Sequence, residues 1–111
     1  MRDKIRIGLV GCGGIAGAHL EAYEMLRARG CEHFEIAALY DVFPQAMHQA
    51  ASHIAKFQAS APRSFHSLEA LIASGLVDGV DICTPHADHH VSAVRCLEAG
   101  IHVLVEKPLG V

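Results

Sequence analysis

Residues 4–16 read KIRIGLVGCGGIA, and the fold follows from how that stretch is parsed. Lys4 to Val10 begins as an alternation and becomes wholly apolar, the pattern of a strand entering a parallel sheet buried on both faces. Gly11-Cys12-Gly13-Gly14-Ile15-Ala16 then fits G-x-G-x-x-G/A at the point where a strand gives way to a helix. Each position answers a physical need. Gly11 lets the chain turn sharply, and Gly13 removes a side chain that would keep a pyrophosphate away from the backbone. Ala16, or Gly17 one place on, keeps helix and strand close. The helix N-terminus offers its free N–H groups to an anion, so Gly14 and Ile15 join the candidate binding loop.

Working outward, strands and helices alternate. A helical stripe of Ile15, Ala18, Ala22 and Leu26 is expected to face the core. FEIAALYD (34–41) reads as a second strand. Pro44 suits the first turn of a second helix, whose apolar face is Met47, Ala50, Ala51 and Ile54. RSF (63–65) is short enough for an edge strand, and Ser67 can cap a short helix through Leu68, Leu71 and Ile72. GVDICTP (79–85) is a further strand stopped by Pro85. DHHVSAVRCLEAG (88–100) follows as a helix with Val91, Val94 and Leu97 inward, and IHVLVE (101–106) is the last strand. Gly30, Gly75 and Gly100 stand where helices would stop. Strand–helix alternation of this kind requires right-handed crossovers between parallel neighbours. The fold class is therefore α/β: a doubly wound, Rossmann-like parallel sheet spanning residues 1–111 as one domain.

Bulk properties remove other classes. The 111 residues are 51% hydrophobic and 19% charged, which excludes a disordered chain. A net charge of −3 without a Lys/Arg cluster gives no footprint for nucleic acid. No apolar run is long enough to cross a bilayer as a helix, and no secretory signal is readable, so a cytoplasmic location is expected. Cys12, Cys31, Cys83 and Cys96 form no C-x-x-C pair and read as reduced thiols in apolar surroundings.

Asp41 lies at the end of the second strand, 25 residues beyond Ala16. A carboxylate there can accept hydrogen bonds from an adenosine ribose 2′-hydroxyl and would repel a 2′-phosphate, which favours NAD over NADP. The competing reading is that Asp41 only caps the next helix. His86, His89 and His90 form a cluster that could hold a metal, but no carboxylate pair completes a motif and no metal is expected.

RIGLVGCGGIAGAHL (6–20), ALYDVFPQA (38–46), VDICTPHADHH (80–90) and AGIHVLVEKPL (99–109), in this order, resemble the Gfo/Idh/MocA oxidoreductases. The resemblance covers almost the whole chain. It implies an N-terminal NAD(P)-binding Rossmann domain in an enzyme acting on sugars, cyclitols or related polyols. Gly11, Gly13 and Ala16 match the family's dinucleotide loop, and Asp41 its ribose carboxylate. Thr84 and Pro85 match a turn lining the cofactor, and His89 a histidine that commonly follows it. Glu106-Lys107-Pro108 matches a motif whose lysine sits near the nicotinamide and the substrate hydroxyl, so Lys107 is the candidate proton-transfer residue and Glu106 a cofactor neighbour. His86 departs from the family's frequent asparagine.

Family members continue into a second, substrate-binding domain, which nothing in these residues matches. The sheet is then incomplete at its C-terminal edge, and the exposed last strand predicts self-association, that is, a homo-oligomer. The alternative is a standalone dinucleotide-binding module with a sensing or assembly role.

Overall fold

The computed structural model describes residues 4–83 and 86–105, excepting the side chains of Ile15, residues 86–90 and Val105. Five strands and four helices alternate: β1 (Ile5–Val10), α1 (Gly14–Ala28), β2 (Phe34–Tyr40), α2 (Pro44–Ile54), β3 (Arg63–Phe65), α3 (Leu68–Ala73), β4 (Gly79–Ile82), α4 (His86–Glu98) and β5 (His102–Val105). The strands form one sheet in the order β3-β2-β1-β4-β5, and every pairing is parallel. From β1 the chain winds outward through β2 to β3, then returns to the far side of β1 for β4 and β5. The expected doubly wound α/β sheet is therefore the observed one.

Alternation along the strands, stepped by one residue where β2 shifts register against β1 between Ile36 and Ala38, divides the core between the two sheet faces. On one face Leu9, Ile36 and Leu39 pack under Ala16 and Leu20 of α1 and under Met47, Ala50 and Ile54 of α2. On the other, Val10, Ala38, Val80 and Ile82 pack under Leu71 of α3 and Cys96 of α4. Local signals agree with this layout. Pro44 opens α2, the Ser67 hydroxyl accepts the Ala70 N–H at 3.0 Å, and Gly30, Gly75 and Gly100 adopt φ of +92°, +70° and +78° past their helices.

Two helical faces depart from expectation. Along α1 the inward side carries Ala16, Leu20 and Tyr23, while Ala18 and Ala22 are exposed and Leu26 is 46% exposed. Along α4 the buried residue is Cys96, with Ala93 packed beside it, and Val91 and Leu97 are 58% and 61% exposed. The reason is shared. Both helices carry apolar residues on more than one side, so spacing alone fits two faces. In α1 the face laid on the sheet is the one that buries Leu20 and brings His19 and Tyr23 to Asp81, and in α4 it is the one bearing Ala93 and Cys96.

Truncation of the two α1 leucines separates these faces. Leu20→Ala, at a site 2% exposed, should cost about 2–5 kcal/mol of unfolding free energy. Leu26→Ala should stay within about 0.5 kcal/mol of the parent. Urea denaturation of both variants checks the assignment.

Candidate functional site

The chain passes from β3 across β1 to β4, and at such a reversal of strand order open α/β sheets take ligands in a crevice outside the C-terminal strand ends. The glycine loop follows that end of β1. Gly11 donates its N–H to the Tyr40 carbonyl at 2.8 Å, and Cys83 donates to the Val10 carbonyl at 2.7 Å, so β1 is paired on both sides up to the turn. Gly11 then takes φ +89°, a left-handed conformation that glycine alone adopts without strain. Gly13 is the N-cap of α1 and makes no side-chain cap, which leaves the first N–H groups of the helix facing outward.

The two exposed glycines face open space. A Cβ at Gly13 or Gly14 would meet nothing within 4 Å among the described residues. Their bareness therefore answers no crowding within the protein; it leaves the backbone accessible from outside. Ala16 has no exposed surface at all, whereas a Cβ at Gly17 would also meet nothing within 4 Å. Of the two residues considered for close helix–strand packing, Ala16 is the one in contact.

Asp41, just past β2, is half-buried and accepts two backbone hydrogen bonds, from Cys12 N–H at 2.7 Å and from Phe43 N–H at 2.8 Å. Helix α2 begins after Phe43 without a side-chain cap, so Asp41 does not cap it. The carboxylate instead ties the glycine loop to the end of β2. Each oxygen has one backbone donor and retains acceptor capacity for a ligand hydroxyl. Beside it the Cys12 thiol is pushed up to about 12, first by burial and then by the Asp41 charge, and is inert as a nucleophile at neutral pH.

Thr84, Pro85, Glu106 and Lys107 lie outside the described residues, as do the side chains of Ile15 and His89. Gly11, Gly13, Gly14, Ala16 and Asp41 are brought together at one end of β1 and β2.

One constellation was not singled out from the sequence. Asp81, in the middle of β4 and 1% exposed, accepts hydrogen bonds on Oδ2 from His19 Nδ1 at 2.7 Å and Tyr23 Oη at 2.8 Å. The Cys83 thiol lies 3.6 Å from Asp81 Oδ1 and 3.6 Å from His19 Nδ1. His19 is thus part of a buried polar network. An aspartate inside an apolar strand was the available signal, since a buried carboxylate requires partners.

A family model described as "Oxidoreductase family, NAD-binding Rossmann fold" matches residues 5–111. The chain belongs to the Gfo/Idh/MocA oxidoreductase family. It is 33% identical over 104 residues to UDP-N-acetylglucosamine 3-dehydrogenase of Acidithiobacillus ferrooxidans, covering 94% of this chain and 28% of that protein. It is 34% identical over 109 residues to inositol 2-dehydrogenase of Corynebacterium glutamicum, covering 98% of this chain and 30% of the relative. Among solved structures, the WlbA dehydrogenase of Bordetella pertussis in complex with NADH and UDP-GlcNAcA superimposes with a TM-score of 0.78 at 34% identity, covering 95% of this chain and 29% of that one. The chain therefore spans under a third of the length of these relatives. Among the described residues no helix is long and apolar enough to cross a membrane.

The open space at Gly13 generates a direct test. Gly13→Val should leave the circular dichroism spectrum and thermal midpoint native-like, because a Cβ there meets nothing within 4 Å among the described residues. It should abolish NAD binding in calorimetric titration by covering the loop N–H groups. Retained binding would reduce the glycines to turn residues.

Proposed function

We propose that residues 1–111 are the dinucleotide-binding domain of an NAD-dependent oxidoreductase acting on a sugar, cyclitol or related polyol. The observation that carries this reading is the pairing of the bare glycine loop with the Asp41 carboxylate at the crevice, inside a chain of this family. The Gly13 and Gly14 backbone and the α1 N-terminus would receive the pyrophosphate. Asp41, already oriented by the Cys12 and Phe43 N–H groups, would accept the adenosine ribose hydroxyls. Thr84, Pro85, His89 and Glu106 would line the rest of the cofactor.

NAD, when bound, supplies hydride acceptance at nicotinamide C4. The remaining chemistry belongs to the protein: as hydride leaves the carbinol carbon, the hydroxyl proton must go to a base. Lys107, in the family's Glu-Lys-Pro motif, is the residue for that transfer, and its amine must be neutral to accept the proton. Substrate positioning contributes about 7–11 kcal/mol to reactions of this kind. With under a third of the relatives' length present, this chain alone is expected to bind cofactor without turnover.

Cofactor choice tests the reading. By calorimetry NAD should bind at least about tenfold tighter than NADP, a difference of about 1.4 kcal/mol, because Asp41 repels a 2′-phosphate. Asp41→Ala should weaken NAD and erase that preference. Equal affinities in the parent chain would remove Asp41 from its assigned role. In a longer protein carrying this domain, Lys107→Ala should abolish polyol-dependent NAD reduction.

A further inference from the structure

The Asp81 network contains none of the residues assigned to cofactor or proton transfer, yet it joins α1 to β4, the two elements that frame the crevice. His19 and Tyr23 sit four residues apart on α1 and so share one helical face. Both address a single carboxylate oxygen on β4, at 2.7 and 2.8 Å. Hydrophobic contact by Ala16 and Leu20 is non-directional and resists sliding of the helix only weakly. Two hydrogen bonds from consecutive turns to one buried acceptor are directional, and they fix both the rotation and the axial position of α1 over the sheet. Cys83, whose thiol donates to the other oxygen of that carboxylate at 3.6 Å, is the residue immediately before Thr84-Pro85.

Other features of the network suit a fixed brace better than a reactive centre. The Tyr23 phenol is pushed far above its ordinary range by burial and by the Asp81 charge, so it remains a donor at any working pH. Its ring packs 5.4 Å from that of Phe34, which anchors the donor to β2. Asp81 is nearly sealed from water, so in its charged form it depends on these donors.

We propose that Asp81 is a positioning residue for the glycine-loop helix: through His19 and Tyr23 it holds the α1 N-terminus where its N–H groups meet the pyrophosphate. The inference rests on the NAD reading above. It assigns different ligand parts to different carboxylates. Asp41 serves the adenosine ribose from β2, and Asp81 serves the pyrophosphate indirectly from β4. Anion-binding N–H groups must be held within about 0.5 Å of their working positions, so a helix released from β4 loses affinity for phosphate-bearing ligands first.

The test separates those two parts of the ligand. NAD, ADP and adenosine are titrated by NMR into the parent chain and into Asp81→Val, Tyr23→Phe, His19→Leu and His19→Asn. Asp81→Val removes the anchor without leaving a buried charge unpaired, and Tyr23→Phe keeps the ring packing should the first variant not fold. In Asp81→Val, NAD and ADP should weaken about tenfold, while adenosine stays within about twofold of the parent. Tyr23→Phe and His19→Leu should show the same selectivity with smaller losses. His19→Asn, which retains a side-chain N–H, should lie closer to the parent than His19→Leu. Equal weakening of ADP and adenosine, or no change in folded variants, would overturn the proposal while leaving the NAD reading intact. Failure of the parent chain to bind either NAD or ADP would overturn both.

Discussion

β1 takes parallel partners on both sides, β2 on one and β4 on the other, and the rest of the molecule is arranged around that double pairing. A strand in this position can be left only by a sharp turn, because the Tyr40 carbonyl accepts the Gly11 N–H on one side and the Val10 carbonyl accepts the Cys83 N–H on the other. The turn must then lift the chain into a helix lying across the same sheet. Gly11 at φ +89° makes the turn, and Ala16, fully buried, allows the close crossing. A crevice with outward-facing N–H groups results from the topology itself. The family's chemistry uses a feature that the strand order produces.

Two carboxylates stabilise that crevice from opposite sides. Asp41 bonds the loop at Cys12 and Asp81 bonds the helix at His19 and Tyr23, so the loop–helix unit is braced to β2 and to β4. They differ in exposure, and therefore in role. Asp41 is half-buried and can still accept from a ligand, whereas Asp81 is sealed and can act only through its protein partners. Lys107, the residue to which the proposed chemistry gives the proton transfer, lies outside the described residues.

The sheet and the loop were legible in the sequence because backbone geometry there dictates residue type. A left-handed turn needs Gly11, helix stops need Gly30 and Gly100, and an approachable loop needs Gly13. Asp41 was legible from its fixed place after β2. The inward faces of α1 and α4 were not, because Ala18, Ala22 and Leu26 compete with Ala16, Leu20 and Tyr23 for the same period, as Val91, Val94 and Leu97 compete with Ala93 and Cys96. Periodicity cannot rank two apolar faces; packing against the sheet can. The His19–Asp81 contact joins residues 62 apart in the chain, and only the tertiary fold brings them together.

The most direct measurement is the map of backbone amide shifts in an isotope-labelled sample titrated with NAD. The amides of residues 11–16 on the loop and of Asp41 to Phe43 after β2 should move together and saturate at one concentration. The amides of α3 and of β3 should stay in place. Shifts centred away from the β1 and β2 ends, or none at saturating NAD, would contradict a dinucleotide site at the glycine loop.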